Sequence, residues 1–204
     1  MARDWKGGTA STFKTIGASN HCDHDRQAED YYATEPLATD LLCEIEQFQS
    51  PILEPSCGEG HISKQLIAHG YEVVSRDLVD RGYGEVADFL FLNNEQWDGD
   101  IITNPPYDDV ITLVFRCLDI CKDKVALLMP LRYLSSRSRY NKLYKKYPPA
   151  RVYVYQERIC IAKNADFKKY NDAGANLEIY AWYIWQKGYK GATELRWISN
   201  NKDY

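Results

Sequence analysis

At 204 residues, 45% hydrophobic and 26% charged, the chain fits one globular domain with a sizeable core and leaves little room for a second. No apolar run reaches membrane-spanning length, and the opening MARDWKGG lacks a secretory pattern. Six scattered cysteines without CxxC spacing read as reduced thiols, so a cytoplasmic protein with no membrane partner is expected. The net charge of -4 argues against a nucleic-acid partner only if charge is evenly spread, and residues 131–170 carry 11 Lys or Arg against Glu157 and Asp166 alone. Such asymmetry points to one basic face on an acidic body, a surface suited to phosphates.

Residues 1–30 are polar and aperiodic and are expected to form an irregular arm. Within it His21, Cys22, Asp23 and His24 are adjacent, so they cannot all face one ion, and no second ligand pair follows; no metal is expected. A helix is expected from Thr34 to Phe48, with Thr34 as cap, Pro36 in the first turn and Leu37, Leu41, Leu42 and Ile45 on one face. Ile52 and Leu53 form a short buried strand, and the glycine-bearing run Glu54 to Gly60 leads into a helix over His61 to His69 that Gly70 ends. Further strands are expected at Glu72 to Asp77, briefly within Glu85 to Phe91, at Asp100 to Asn104 and at Lys124 to Pro130. Helices are expected at Asp109 to Cys121 and, strongly basic, at about Ser136 to Tyr147. Two β-rich segments, Arg151 to Ala162 and Glu178 to Lys187, flank a polar loop over 163–177, and 191–204 reads as a tail.

Apolar strands alternating with helices imply an α/β fold with a mostly parallel sheet covered on both faces. Ligands in such sheets bind beyond the carboxyl ends of the strands, where Glu54, Asp77, Asp88 and Asn104 all fall. Gly58 and Gly60 allow a tight turn and close approach of backbone to ligand at a helix N-terminus. The acid at Glu54 suits a ligand with a cationic amine better than a pyrophosphate. Asp77, ending the next strand, can accept hydrogen bonds from ribose hydroxyls. After the fourth strand, Asn104-Pro105-Pro106-Tyr107 forms a stiff extended turn, because two prolines cannot continue a sheet ladder. The Asn104 amide oxygen and the Pro105 carbonyl offer two acceptors. Together they can hold both N–H bonds of an aryl amine, favour its pyramidalisation and free its lone pair for attack on an electrophile. Tyr107 can stack on a base extruded from a duplex.

The run Glu54-Pro55-Ser56-Cys57-Gly58-Glu59-Gly60 resembles the first motif of class I S-adenosylmethionine-dependent methyltransferases, acid-Pro-x-x-Gly-x-Gly. The resemblance implies a single Rossmann-like domain over 31–190 with a seven-stranded sheet and S-adenosylmethionine as cofactor. It assigns the methionine moiety to Glu54, Pro55, Ser56, Gly58 and Gly60, the ribose to Asp77, and the cofactor's adenine to Asp88 with Phe89 as an apolar wall. Asp30-Tyr31-Tyr32-Ala33-Thr34-Glu35-Pro36 resembles the Tyr-x-Thr-Pro segment of DNA adenine-N6 methyltransferases, with Glu35 inserted before the proline. That segment places Tyr32 and Thr34 beside the methionine end of the cofactor, with Asn104 adjoining.

Taken together, residues Asp30 to about Pro130, and less closely the rest to Gly188, resemble the small DNA adenine-N6 methyltransferases common in phages and prophages. The implied reaction moves a methyl group to the exocyclic N6 amine of adenine in double-stranded DNA. The base is flipped against the catalytic turn of Asn104, Pro105, Pro106 and Tyr107. With no room for a separate target-recognition domain, DNA contacts fall to loops near 131–147 and 163–177, through Arg132, Arg137, Arg139, Lys142, Lys168 and Lys169. Tyr140, Tyr144 and Tyr147 are spaced either to stack on bases or to line a helix core. RNA adenine-N6 and protein-glutamine methyltransferases share the tetrapeptide and remain alternatives, as does a non-catalytic nucleic-acid-binding module. Cytosine-N4 enzymes usually open the motif with Ser.

Overall fold

The computed structural model describes residues 31–90, 96–107, 109–163, 165–168 and 178–200. Its strands in chain order are β1 (Tyr32–Thr34), β2 (Ile52–Glu54), β3 (Val73–Asp77), β4 (Glu85–Val86), β5 (Ile101–Thr103), β6 (Lys124–Pro130), β7 (Arg151–Tyr155), β8 (Ile161–Lys163), β9 (Tyr180–Gln186) and β10 (Glu194–Ile198). The helices of two turns or more are α1 (Pro36–Ile45), α2 (His61–Ala68) and α3 (Val110–Ile120).

Eight strands make the main sheet in the order β10-β7-β9-β6-β5-β2-β3-β4. β9 runs antiparallel to both of its neighbours, and every other pairing is parallel. A mostly parallel α/β sheet was expected; the seven-strand count was one short. The extra strand, β10, lies in the segment read as a tail and pairs with β7 from Glu194 opposite Arg151 to Ile198 opposite Tyr155. Four of its five residues are exposed, so it lacks the apolar signature by which the inner strands are recognised.

Strand periodicity builds the two cores. Ile102, Leu128, Trp182 and Ile184 join Leu42 and Leu66 on one face, while Ile101, Leu127, Tyr183 and Trp185 join Val114 and Cys117 on the other. β9 is buried on both faces, as a central strand must be. The buried Trp182 Nε1 donates to Ala38 O (3.1 Å) and to the Tyr155 hydroxyl (2.6 Å), tying α1 to the sheet. Asp100, fully buried, accepts from the Gln49 and Lys124 amides, each at 2.7 Å, and so fixes where β5 begins.

Three local expectations change. Thr34 does not cap a helix: it ends β1, and Glu35 precedes Pro36 at the N-terminus of α1. β1 pairs antiparallel with β8, Thr34 opposite Ile161, in a separate two-stranded sheet, so the β-rich stretch 151–162 divides between two sheets. The basic helix is one α-turn, Arg137–Arg139, opened by Ser136 and followed by a widened turn over Tyr140–Tyr144, in which Lys145 N donates to Tyr140 O (2.9 Å). The widening keeps Leu143 buried while the Tyr144 hydroxyl reaches the Tyr133 carbonyl (2.9 Å). Among the described residues no helix is long and apolar enough to cross a membrane.

Candidate active site

Because β3, β2 and β5 are parallel neighbours, their carboxyl ends bring Asp77, Glu54 and the Thr103-Asn104 junction to one edge of the sheet. The turn after β2 holds Gly58 and Gly60 at φ +55° and +78°, a left-handed backbone that side chains rarely adopt. Asp77 Oδ2 accepts from the Gly58 amide (2.8 Å) and its Oδ1 from the Val79 amide (3.0 Å), so this carboxylate first organises the turn. Its remaining lone pairs leave room for ribose hydroxyls. Tyrosine rings flank both glycines: a Cβ on Gly58 would collide with Tyr31, and one on Gly60 with Tyr83. The Tyr31 hydroxyl accepts from the Glu59 amide (3.2 Å) and lies 2.9 Å from His61 Nδ1.

Glu54 is 1% exposed, and the Ser63 hydroxyl donates to its Oε2 while standing 2.5 Å from the Ser75 hydroxyl. Burial pushes its carboxyl up to about 8; the Ser63 hydrogen bonds oppose that shift and the charge of Asp77 adds to it. Such a carboxyl has much to gain from a cationic partner, which fits a ligand carrying an ammonium group beside a sulfonium. Pro55 is buried and Ser56 half-buried in the same turn. Asp88 is half-buried and accepts from the Leu90 amide (3.0 Å), closing its own turn. Phe89 is buried in the core with Leu53, Ile101 and Val110.

Asn104 is held by both ends of its side chain. Its Nδ2 donates to Thr34 Oγ1 (3.1 Å) and, at longer range, to the Tyr32 carbonyl (3.5 Å), while its Oδ1 accepts from the Tyr107 hydroxyl. The Tyr107 ring turns inward, 5.7 Å from Tyr133 and 6.4 Å from Tyr180. The Tyr133 hydroxyl donates to the Tyr107 carbonyl (3.3 Å). A recess of about 260 Å³ opens beside this cluster, lined by Tyr107, Tyr133, Asp109, Ser136, Ser138 and Arg139 among others. Tyr32 is 44% exposed and meets Asn104 through its backbone, whereas its neighbour Tyr31 covers the glycine turn.

The basic residues divide by what they touch. Arg139 donates to the carbonyls of Tyr133 (2.9 Å), Arg132 (3.2 Å) and Ser135 (3.1 Å) and lies over the Tyr133 ring, clasping the segment after β6. Arg132 is ion-paired with Glu178. Arg137, Lys142, Lys145, Lys146 and Lys168 are exposed, and Lys169 falls outside the described residues. Of the helically spaced tyrosines, Tyr144 packs against the core, while Tyr140 is 57% exposed. Among the described residues no group of three or more His, Cys, Asp or Glu is placed to hold a metal, and His21 to His24 lie outside them.

Sequence reasoning missed Ser63, Ser75, Tyr83 and Tyr180 as neighbours of the site. Ser63 was findable, since it lies nine residues after Glu54 on the first turn of α2. Tyr83 and Tyr180 arrive from a loop and a distant strand and carry no local signal.

Parallel strands on either side of the glycine turn, with an antiparallel strand beside β6, define a Rossmann-like class I methyltransferase fold. Solved structures agree. A protein assigned as the modification subunit of a type I restriction enzyme from Vibrio vulnificus superposes with a TM-score of 0.57 at 11% identity, over 95% of this chain and 52% of that one. This chain thus spans about half the length of that subunit. A Pyrococcus horikoshii protein assigned as an RNA methyltransferase gives 0.52 at 14% identity, over 86% and 98% of the two chains. A Listeria monocytogenes protein assigned as a class I S-adenosylmethionine-dependent methyltransferase gives 0.52 at 13%, over 92% and 69%. At such identities the likeness establishes the fold. No protein-family model and no curated protein matches the sequence.

Proposed function

We propose that this protein transfers a methyl group from S-adenosylmethionine to the exocyclic N6 amine of an adenine in double-stranded DNA. The observation that carries the reading is the Asn-Pro-Pro-Tyr turn at the carboxyl end of β5, beside the glycine turn after β2, with the Asn104 amide held at its nitrogen end. S-adenosylmethionine supplies an electrophilic methyl group on a sulfonium. Glu54 would take its amino group, the side-chain-free turn at Gly58 and Gly60 would let its methionine end lie close against the backbone, and Asp77 would hold its ribose.

Asn104 Oδ1 and the Pro105 carbonyl would accept the two N–H bonds of the target amine and direct its lone pair at the methyl carbon; as the N–C bond forms the S–CH3 bond would break, the neutral thioether would leave, and one N6 proton would pass to solvent. Tyr107 stacks on the extruded base once its ring turns outward. Because its hydroxyl rests on Asn104 Oδ1, that rotation also frees the acceptor the amine needs. Arg137, Lys142 and the neighbouring lysines supply sequence-independent phosphate contacts.

The test is parallel incubation of the protein and labelled cofactor with duplex DNA, structured RNA and a protein mixture. Label in DNA supports the reading. Label in RNA or protein alone replaces the substrate while keeping the chemistry.

A further inference from the structure

We infer that Thr34 is a positioning residue that holds the Asn104 carboxamide in place with its oxygen facing the reacting amine. The inference rests on the reading that Asn104 is the acceptor in methyl transfer. An Asn side chain presents a donor at one end and an acceptor at the other, and the two are nearly the same shape, so packing alone does not choose between them. Here the choice is made by chemistry. The Tyr32 carbonyl only accepts, so the end of the amide that approaches it (3.5 Å) has to be the nitrogen. Thr34 Oγ1, at 3.1 Å, accepts the shorter and stronger bond from the same nitrogen; a hydroxyl can bond either end of an amide, so Thr34 fastens the orientation that the Tyr32 carbonyl selects. With both acceptors behind it, the amide turns its oxygen toward the Tyr107 hydroxyl.

Thr34 is able to do this because the backbone holds it still. It is 3% exposed and ends β1, where it pairs with Ile161 of β8. The adjacent Glu35 locks the same strand a second time: its amide donates to the Cys160 carbonyl (3.0 Å), and its Oε2 accepts from the Cys160 amide (2.8 Å). Glu35, which interrupts the family-like Thr-Pro spacing, thus anchors the segment that presents the Thr34 hydroxyl to Asn104. Without the Thr34 hydroxyl the amide keeps the long bond to the Tyr32 carbonyl and the bond from the Tyr107 hydroxyl, and once Tyr107 turns outward for the base the Tyr32 bond alone holds it. An amide that then turns over offers N–H groups to the target amine, which repel its own donors.

The experiment compares Thr34→Val, which keeps the shape but removes the hydroxyl, with Thr34→Ser, which keeps the hydroxyl. Proton–nitrogen NMR of the wild-type protein identifies the Asn104 carboxamide signals by their loss in Asn104→Ala. The inference expects those signals to be protected from solvent exchange in wild type and Thr34→Ser, and to shift and lose protection in Thr34→Val. On the substrate that wild type methylates, Thr34→Val should lower kcat roughly 10-fold or more, and Thr34→Ser should restore most of that loss. Unchanged Asn104 signals in Thr34→Val, or an unchanged kcat, overturns the inference. If wild-type protein methylates nothing, the proposed function fails, and the amide signals still decide the role of Thr34.

Discussion

A carboxyl buried at the foot of a glycine turn makes stability depend on pH in a direction that can be worked out. Burial raises Glu54 to about 8 from an ordinary value near 4.5, so the folded chain holds this proton more tightly than the unfolded one. Its contribution is therefore full below the unfolded value and is lost as pH rises through the folded value. The ligand-free protein should unfold at lower urea concentration as pH climbs from about 5 to about 8. Glu54→Gln, neutral throughout, should lack that part of the decline. Equal slopes in the two proteins contradict the assignment. The same residue makes a second statement about function. In the proposed reaction Glu54 must ionise to hold an ammonium group, so cofactor affinity in wild type should rise with pH over the same interval, measured by calorimetry, and Glu54→Gln should bind weakly at every pH.

At the scale of elements, the strands are held at their amino ends by a different group, away from the site. Glu46, just past α1, accepts from Lys124 Nζ (2.7 Å) at the start of β6, from Arg151 Nε (2.8 Å) at the start of β7 and from the Tyr153 hydroxyl (2.9 Å). Burial alone pushes its carboxyl up, but these hydrogen bonds outweigh burial and hold it below the ordinary value. Its contribution is thus present at neutral pH and lost as pH falls through the folded value. Glu46→Ala leaves two half-buried cations without their carboxylate and should cost about 3 kcal/mol in urea denaturation, with cofactor affinity unchanged. A loss of affinity at full stability would place this network in the site instead.

Such an element-level role was not legible in the sequence, because Glu46 meets partners 78 and 105 residues away. What was legible followed local rules. β6 occupies the expected residues Lys124 to Pro130, and α2 and α3 fall within one residue at each end of their expected ranges. The short strand expected near Asp88, within Glu85 to Phe91, lies earlier, at Glu85–Val86, where pairing with β3 stops after two residues and leaves Asp88 beyond the strand. Thr34 carried a helix-capping signal and became the end of a strand, since its partner strand β8 lies more than a hundred residues on. The Asn104 turn and the glycine turn were readable from spacing. The inward packing of Tyr107 was not, because it depends on Tyr133 and Tyr180.

For the whole molecule, the uneven charge becomes a surface with distinct parts. Arg139 and Arg132 are engaged by the fold around Tyr133 and by Glu178, which leaves Arg137, Lys142, Lys145 and Lys146 exposed on the segment after β6. Replacing Arg137 and Lys142 together by Ala should weaken duplex binding uniformly across sequences. The slope of log affinity against log salt should fall by about 2, near 0.9 for each phosphate left without its cation. A salt slope equal to wild type moves the DNA path elsewhere. The central claim, methylation of adenine N6 in DNA, is tested most directly by incubating the protein and S-adenosylmethionine with unmethylated genomic duplex. The digested nucleosides are then separated by mass. The account expects N6-methyladenosine of the deoxy series from wild-type protein and none from Asn104→Ala that still folds and binds cofactor. No methylated deoxyadenosine from wild type, or an equal yield from Asn104→Ala, would contradict it.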